Sequence, residues 1–301
     1  MPICLAMIVR DEAKIIARCL TAAKPYVDRA VIVDTGSTDD TSTIAARTLR
    51  KLKIPGAVIQ ARWSGFGAAR TRAFAEARAF VRQVDKQLAR WHALVIDADE
   101  TVSGELPREL TADAYGIWVK TNNVRYKMLR LFRLDHVWRY VGVLHEFPAT
   151  GGVWSDAMLE SFQIDPNRRD GARSNDPAKY AQDAAVLERA LEDETDEPLR
   201  TRYTFYLAQS YRDAGDHESA ARWYLRRAEM GAGLNWEEVY VALLEAGRAL
   251  ERLGRFKDAE ATLLRAHHQW PARPEAPREL ARIFNEKAAH ARPVGALFVE
   301  A

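Results

Sequence analysis

The first hundred residues alternate two hydrophobic periods. Ile3 to Val9 is a short apolar run that predicts a buried strand, and Ile15, Ile16, Cys19 and Leu20 recur at helical spacing within Ala13 to Ala23. Ala30 to Val33 and Ala57 to Ile59 predict a second and a third strand, an Ala/Arg-rich stretch from about Ala68 to Ala89 predicts a long helix, and Leu94 to Ile96 predicts a fourth strand. Strand and helix taking turns in this way imply a parallel sheet with crossover helices. From Gly116 to Val143 the pattern becomes β-rich, aromatic and basic, in segments Ile117 to Lys120, Met128 to Arg133 and Trp138 to Val143, so a mixed second half of the sheet is expected.

Residues 151–177 carry Gly151-Gly152, Asp165-Pro166, Arg168-Arg169-Asp170-Gly171 and Asp176-Pro177, which read as a loop or linker. Beyond Ala178 every signal is helical. Tyr206-Leu207-Ala208, Tyr211, Gly215, Ala220, Tyr224 and Ala228 fit the helix–turn–helix template of a tetratricopeptide repeat. A second copy runs through Ala246-Gly247, Leu250, Gly254, Ala259, Leu263 and Ala266, with the insertion Gly231 to Asn235 between them, and a partial third contains Leu280-Ala281 and Phe284. The expected division is therefore 1–150 for the sheet domain, 151–177 for the linker and 178–301 for the helical repeats.

Composition narrows the class. With 48% hydrophobic and 29% charged residues in 301, a disordered, collagen-like or membrane-embedded body is excluded. The net charge is only +2, but residues 1–170 hold 25 Lys/Arg against 20 Asp/Glu, a mild basic excess that suits an anionic nucleotide. Cys4 and Cys19 have neither metal-ligand nor redox spacing and are expected to be small buried residues in a reducing compartment. No apolar run approaches 20 residues, so no transmembrane segment is expected, and a cytoplasmic location follows as the expectation.

Polar and acidic residues gather where strands end. Arg10-Asp11-Glu12 follows the first strand, Asp34-Thr35-Gly36-Ser37-Thr38-Asp39-Asp40-Thr41 the second, and Asp97-Ala98-Asp99-Glu100 the fourth. The carboxyl ends of strands form the ligand crevice of open α/β sheets. Two carboxylates on one turn offer the hard oxygen ligands that Mg²⁺ or Mn²⁺ takes together with phosphates and waters, although such residues also cap helices.

The chain resembles the family 2 GT-A glycosyltransferases over most of residues 3–147. The resemblance is carried by MIVRDEA at Met7–Ala13, CL at Cys19–Leu20, VIVDTGSTDDT at Val31–Thr41, GAARTRAF at Gly67–Phe74, ALVIDADE at Ala93–Glu100, RLFR at Arg130–Arg133 and GVLHE at Gly142–Glu146. It implies an α/β fold of GT-A type, a nucleotide-diphospho-sugar transferase mixed sheet flanked by helices, followed here by an all-α helical-hairpin repeat domain. It also implies an inverting hexosyl- or pentosyltransferase that uses Mn²⁺ or Mg²⁺ and a nucleotide-sugar donor, best matched by a UDP-sugar. By position, Val9, Arg10, Asp11 and Glu12 wall the base and ribose pocket, Asp34 meets the base, and Arg70 meets the diphosphate. Asp97, Ala98 and Asp99 match the metal- and ribose-contacting turn, with Asp99 the chief metal ligand, and His145 completes the metal shell. Glu146 is the candidate base, in a chain without the E-D motif that supplies the base in many family members. Asp34 can instead cap the following helix, and Arg70 or Arg72 can lie on a solvated helix face.

Other readings compete. A dehydrogenase would carry a Gly-rich turn where Arg10-Asp11-Glu12-Ala13 stands. A nucleotidyltransferase would release pyrophosphate, and a repeat scaffold with a decayed transferase domain would bind no donor. The acceptor is open between protein or peptide, glycan, and a hydroxymethylated base in DNA. The last is suggested by the basic and aromatic stretch Lys120 to Arg139, with Arg125, Tyr126, Lys127, Arg130, Arg133, Trp138 and Arg139; a strand pair with one solvated face gives the same pattern. The helical part either braces the first domain or offers a concave surface to the acceptor or to a second copy of the chain in self-association.

Overall fold

The strand β1 (Ile3–Val9) shows in miniature how the sheet is built. Six of its seven residues are buried, and successive side chains go to opposite faces. Ile3, Leu5, Met7 and Val9 join a core with Ile16, Cys19, Leu20 and Ala23 of α1 (Ile16–Ala23) and Ala45 and Leu49 of α2 (Thr41–Leu52). Cys4 and Ala6 join a second core with Ala73, Phe74, Ala77 and Val81 of α3 (Phe66–Arg82). The sheet is thus covered by helices on both faces, which is why its first strands read as continuous apolar runs.

This is a computed structural model, and it describes residues 1–291 apart from 108, 122–123, 168–170, 172, 174–175 and 232–234. The remaining strands are β2 (Arg29–Asp34), β3 (Gly56–Gln60), β4 (His92–Val95), β5 (Glu100–Gly104), β6 (Ala114–Lys120), β7 (Arg125–Arg133), β8 (Arg139–Val141), β9 (Phe147–Ala149) and β10 (Asp156–Pro166). Eight of them form one mixed sheet in the order β3-β2-β1-β4-β7-β6-β10-β5, and β8 pairs with β9. Strands β3, β2, β1 and β4 are parallel, and β7 is antiparallel to both β4 and β6. The chain winds outward from β1 to β3, then returns to place β4 on the other flank of β1. That reversal is the topological switch point, where a crevice opens beyond the carboxyl ends of β1 and β4.

Two compact units divide at residue 177: Met1–Pro177 and Ala178–Ala301. The segment read as a linker holds an 11-residue strand, β10, parallel to β6 and antiparallel to β5. Its apolar residues Leu159, Phe162 and Ile164 are buried, but a register shift between Leu159 and Gln163 breaks the alternation that would have announced it. Arg168, Arg169 and Asp170 of the same segment lie outside the described residues. The long helix ends earlier than the expected Ala89, at Arg82. Asp85 then accepts the Gln87 N–H at 2.8 Å and the Trp91 indole N–H at 2.9 Å, which favours a turn over continued helix. Both cysteines are buried, and burial pushes Cys4 up to about 12 and Cys19 well above the ordinary thiol value, so they are inert packing residues.

The second unit consists of α4 (Lys179–Asp193), α5 (Glu197–Ala214), α6 (His217–Glu229), α7 (Trp236–Arg252), α8 (Phe256–Gln269) and α9 (Glu275–Ala291), each packed on the next. Ala208, Ala220, Tyr224, Ala246, Leu250, Ala259, Leu263 and Ala266 share one core, as the repeat template requires. Gly215 ends α5 at φ +84°, a left-handed cap that glycine adopts without steric cost. In the partial third unit Leu280 is buried beside Ile283, whereas Ala281 and Phe284 are exposed, so the helix face is turned one position from the template. Among the described residues no helix is long and apolar enough to cross a membrane.

Candidate functional site

At the carboxyl ends of β1 and β2 two loops are laced together. The Asp11 N–H donates to Ser37 Oγ at 3.0 Å, the Glu12 N–H to Thr41 Oγ1 at 2.7 Å, and the Asp11 carboxylate accepts the Thr38 N–H at 2.6 Å. Val9 ends its strand with a carbonyl that accepts both the N–H and the hydroxyl of Thr35, at 3.0 and 3.1 Å. Arg10 is exposed, 3.7 Å from Asp11. Asp34 is buried, and its carboxylate serves its own turn. It accepts the N–H groups of Gly36 at 3.0 Å and Ser37 at 2.7 Å, the Ser42 hydroxyl, and the Gln60 amide at 3.4 Å. Burial would raise its pKa, but the hydrogen bonds from Ser42, Ser37 and Gly36 outweigh it and hold Asp34 below the ordinary value.

The charged centre lies between α3, the turn after β4 and the loop after β8. Arg70 stands one turn into α3. Its Nη2 donates to Asp97 Oδ1 at 2.8 Å and Oδ2 at 3.1 Å, and its Nε donates to Glu146 Oε1 at 2.7 Å. The guanidinium also lies 5.7 Å from the Tyr140 ring, which stacks on Phe74. The remaining nitrogen, Nη1, is buried without a partner. Burial pushes Asp97 up, but the Arg70 and Arg130 guanidiniums win and hold its carboxyl below the ordinary range. Glycine shapes the approach of the loop: a Cβ on Gly67 would lie 2.5 Å from the Gly142 carbonyl oxygen, and Thr71 Oγ1 accepts the Tyr140 N–H at 2.9 Å.

Arg70, Asp97 and Glu146 are therefore brought together from three separated motifs. Ala98 is buried, while Asp99 is half-buried on the same turn, where its carbonyl accepts the Asn167 N–H at 2.8 Å. His145 is exposed on the loop at φ +51°. Among the described residues no three His, Cys, Asp or Glu side chains gather in metal-binding geometry, so Asp97, Asp99 and His145 are not assembled into one cage. Two residues of this corner, quoted from the sequence only within longer motifs, form a pair that the sequence does not foretell. Arg130 and Glu100 form a buried ion pair at 2.8 Å under the turn, and burial pushes Glu100 up to about 7 against the opposing pull of Arg130. Position 130 is one of four basic residues on β7, with Arg125, Lys127 and Arg133, so the sequence does not mark it out as the buried one.

The basic stretch from Lys120 to Arg139 follows the solvated-strand pattern only in part. Arg125 and Lys127 lie over Trp118 on the neighbouring strand, at 3.9 and 5.4 Å. Arg130 and Trp138 are buried and face inward, and the half-buried Arg133 is paired with Asp113 at 2.7 Å. A cavity of about 440 Å³ runs along α3 past Phe74, Arg78, Arg82, Leu134 and Trp138, and none of the carboxylates named above lines it.

Residues 4–114 match the model of glycosyl transferase family 2. The match lies wholly within the first unit. Over 270 residues the chain is 30% identical to a TPR repeat-containing protein of Synechococcus elongatus, a match that covers 80% of this chain and 61% of that protein. The chain thus spans about three fifths of the length of this relative. A structure of S. aureus TarS, residues 1–349, is 13% identical with a TM-score of 0.40 over 96% of this chain and 92% of that one. Glucosyl-3-phosphoglycerate synthase from Mycobacterium tuberculosis, in complex with Mn²⁺, uridine diphosphate and phosphoglyceric acid, is 20% identical with a TM-score of 0.25, over 33% of this chain and 34% of that one. Arg70, Asp97 and Asp99 lie within the matching stretch, and Glu146, which binds Arg70, lies beyond it.

Proposed function

We propose that the chain is an inverting glycosyltransferase that moves a sugar from a nucleoside-diphosphate donor, a UDP-sugar, to a hydroxyl of its acceptor. The observation that carries this reading is the convergence of Arg70, Asp97 and Glu146 at the carboxyl ends of parallel strands, at the switch point of a family 2 glycosyl transferase domain. Arg70 keeps a buried Nη1 without a protein partner, which suits a guanidinium whose further partner is an oxygen of the donor diphosphate.

The donor set also suits a hard divalent cation. Asp97 and Asp99 stand two residues apart on the turn after β4, and Mn²⁺ or Mg²⁺ takes one or two carboxylates with phosphates and waters; Asp99 is the chief ligand in this reading, since both Asp97 oxygens also bind Arg70. His145 on the neighbouring loop is the added ligand that would favour Mn²⁺. Once bound, the cation neutralises charge that develops on the departing diphosphate. Val9, Arg10, Asp34 and Ala98 wall the base and ribose end. Asp34 meets the base by giving up the bond from Ser42 or Gln60.

In the reaction the acceptor oxygen bonds to the anomeric carbon as the bond to the diphosphate breaks, and the electron pair leaves with the diphosphate. The acceptor proton passes to Glu146, whose Oε2 is the oxygen not held by Arg70. A peptide or glycan hydroxyl is favoured over a base in DNA, because Arg130 and Trp138 are buried and Arg133 is already paired with Asp113 and Asp135.

The test is to incubate the protein and Mn²⁺ with a panel of UDP-sugars and with peptide, glycan and hydroxymethylated-DNA acceptors, and to measure UDP release and product mass. Release of UDP with a sugar-sized mass gain supports the reading. Pyrophosphate release, or no turnover and no donor binding, overturns it.

A further inference from the structure

A buried ion pair lies beneath the carboxylate turn, and neither of its members is among the groups assigned to the donor. Arg130 is 7% exposed and Glu100 5%. The β4–β7 register sets Leu94 opposite Leu131, which brings Arg130 beside Val95 at the start of the turn. From there Nη2 donates to Glu100 Oε1 at 2.8 Å, while Nη1 reaches the Val95 carbonyl at 3.5 Å and lies 3.8 Å from Asp97 Oδ2. The other Glu100 oxygen accepts the Asp97 N–H at 2.8 Å. The pair therefore touches the end of β4 at Val95 and both the backbone and the carboxylate of Asp97.

Stability alone is a poor reason for this arrangement. Buried ion pairs are often replaced by apolar residues of similar volume without loss of stability. Arg130 Nε is moreover buried without a partner, so the fold alone does not satisfy the guanidinium. We propose that Arg130, acting through Glu100, is a positioning residue that fixes the orientation of the Asp97–Asp99 turn and thereby sets the affinity for the cation together with the nucleotide. This rests on the donor reading above, and it assigns Arg130 no contact with the donor.

The test is calorimetric titration of UDP into the wild type, Arg130→Lys and the double variant Arg130→Met with Glu100→Leu, each with Mn²⁺ and again in EDTA, alongside thermal melting. A lysine supplies one point charge where the guanidinium fork reaches three groups. Residues that hold a metal ligand in place typically change metal affinity 10- to 100-fold when replaced. The expected result is UDP binding at least about tenfold weaker in Mn²⁺ for both variants, unchanged binding in EDTA, and a cooperative melt retained by the double variant. Folded variants that bind UDP and Mn²⁺ as tightly as the wild type overturn the proposal. Loss of the fold in both variants assigns the pair a structural role and overturns it as well. A wild type that binds no UDP in either condition refutes the donor reading itself, a different failure.

Discussion

One nitrogen of Arg70 donates to both carboxylate oxygens of Asp97, at 2.8 and 3.1 Å, while Nε of the same guanidinium holds Glu146 at 2.7 Å. Helix α3, the turn after β4 and the loop after β8 are thereby tied at one point. The Arg70 and Glu146 side chains are only 12% and 11% exposed, so their attraction is screened far less than that of a surface pair.

Replacing Arg70 with alanine leaves two carboxylates facing each other and removes the donor for the diphosphate. UDP release is expected to fall by roughly a hundredfold or more. Arg70→Lys should recover only part, since an ammonium cannot span both carboxylates. Steady-state kinetics with a melting curve for each variant checks this; wild-type turnover in a folded Arg70→Ala protein would contradict it.

Gly67→Ala tests the close approach of α3 to the loop. The added methyl would lie 2.5 Å from the Gly142 carbonyl oxygen, a backbone atom that must move. A loss of about 1–3 kcal/mol is expected, with weaker donor binding because the loop carries Glu146. Denaturant unfolding and UDP titration measure the two effects separately.

Gly215→Ala is a different case. No atom lies within 4 Å of the added Cβ, so the cost comes only from holding alanine at φ +84°. About 1–2 kcal/mol should be lost, with donor binding unchanged. Equilibrium unfolding and UDP titration of the variant decide it.

Asp113 supplies the pH test. The Ser155 N–H, with the Ser155 hydroxyl, His136 and Arg133, holds its carboxyl down at about 2, below the ordinary 3.8. A carboxyl lowered by folding adds stability that is full above about pH 4 and is lost as pH falls through about 2. Asp113→Asn should therefore be less stable than the wild type at pH 6, and the gap should close on acidification. Melting temperatures of both proteins from pH 6 to pH 2 show whether it does.

Much of this corner could be read from the chain because its signals are local. Ile3 to Val9 and Ala93 to Ile96 are apolar runs that end in acidic residues, and each falls on a strand that ends at the crevice. The pairing of Arg130 with Glu100 is non-local. It depends on β7 lying beside β4, an adjacency that no spacing along the chain encodes. Strand β10 was obscured in another way: Gly151-Gly152 precede it, the turn-forming pair Asp165-Pro166 is its own last two residues, and the shift between Leu159 and Gln163 disrupts its period of two. Asp34 sits where it was expected, yet its carboxylate is already committed to the turn that follows.

In the proposed reaction the turn after β4 receives a cation and the donor diphosphate together. This is tested most directly by diffraction at the manganese absorption edge from crystals soaked with UDP and Mn²⁺. One anomalous peak is expected at coordination distance from an Asp99 carboxylate oxygen, with the diphosphate between that peak and Arg70. A nucleotide bound elsewhere, or a manganese peak away from Asp99, would contradict it.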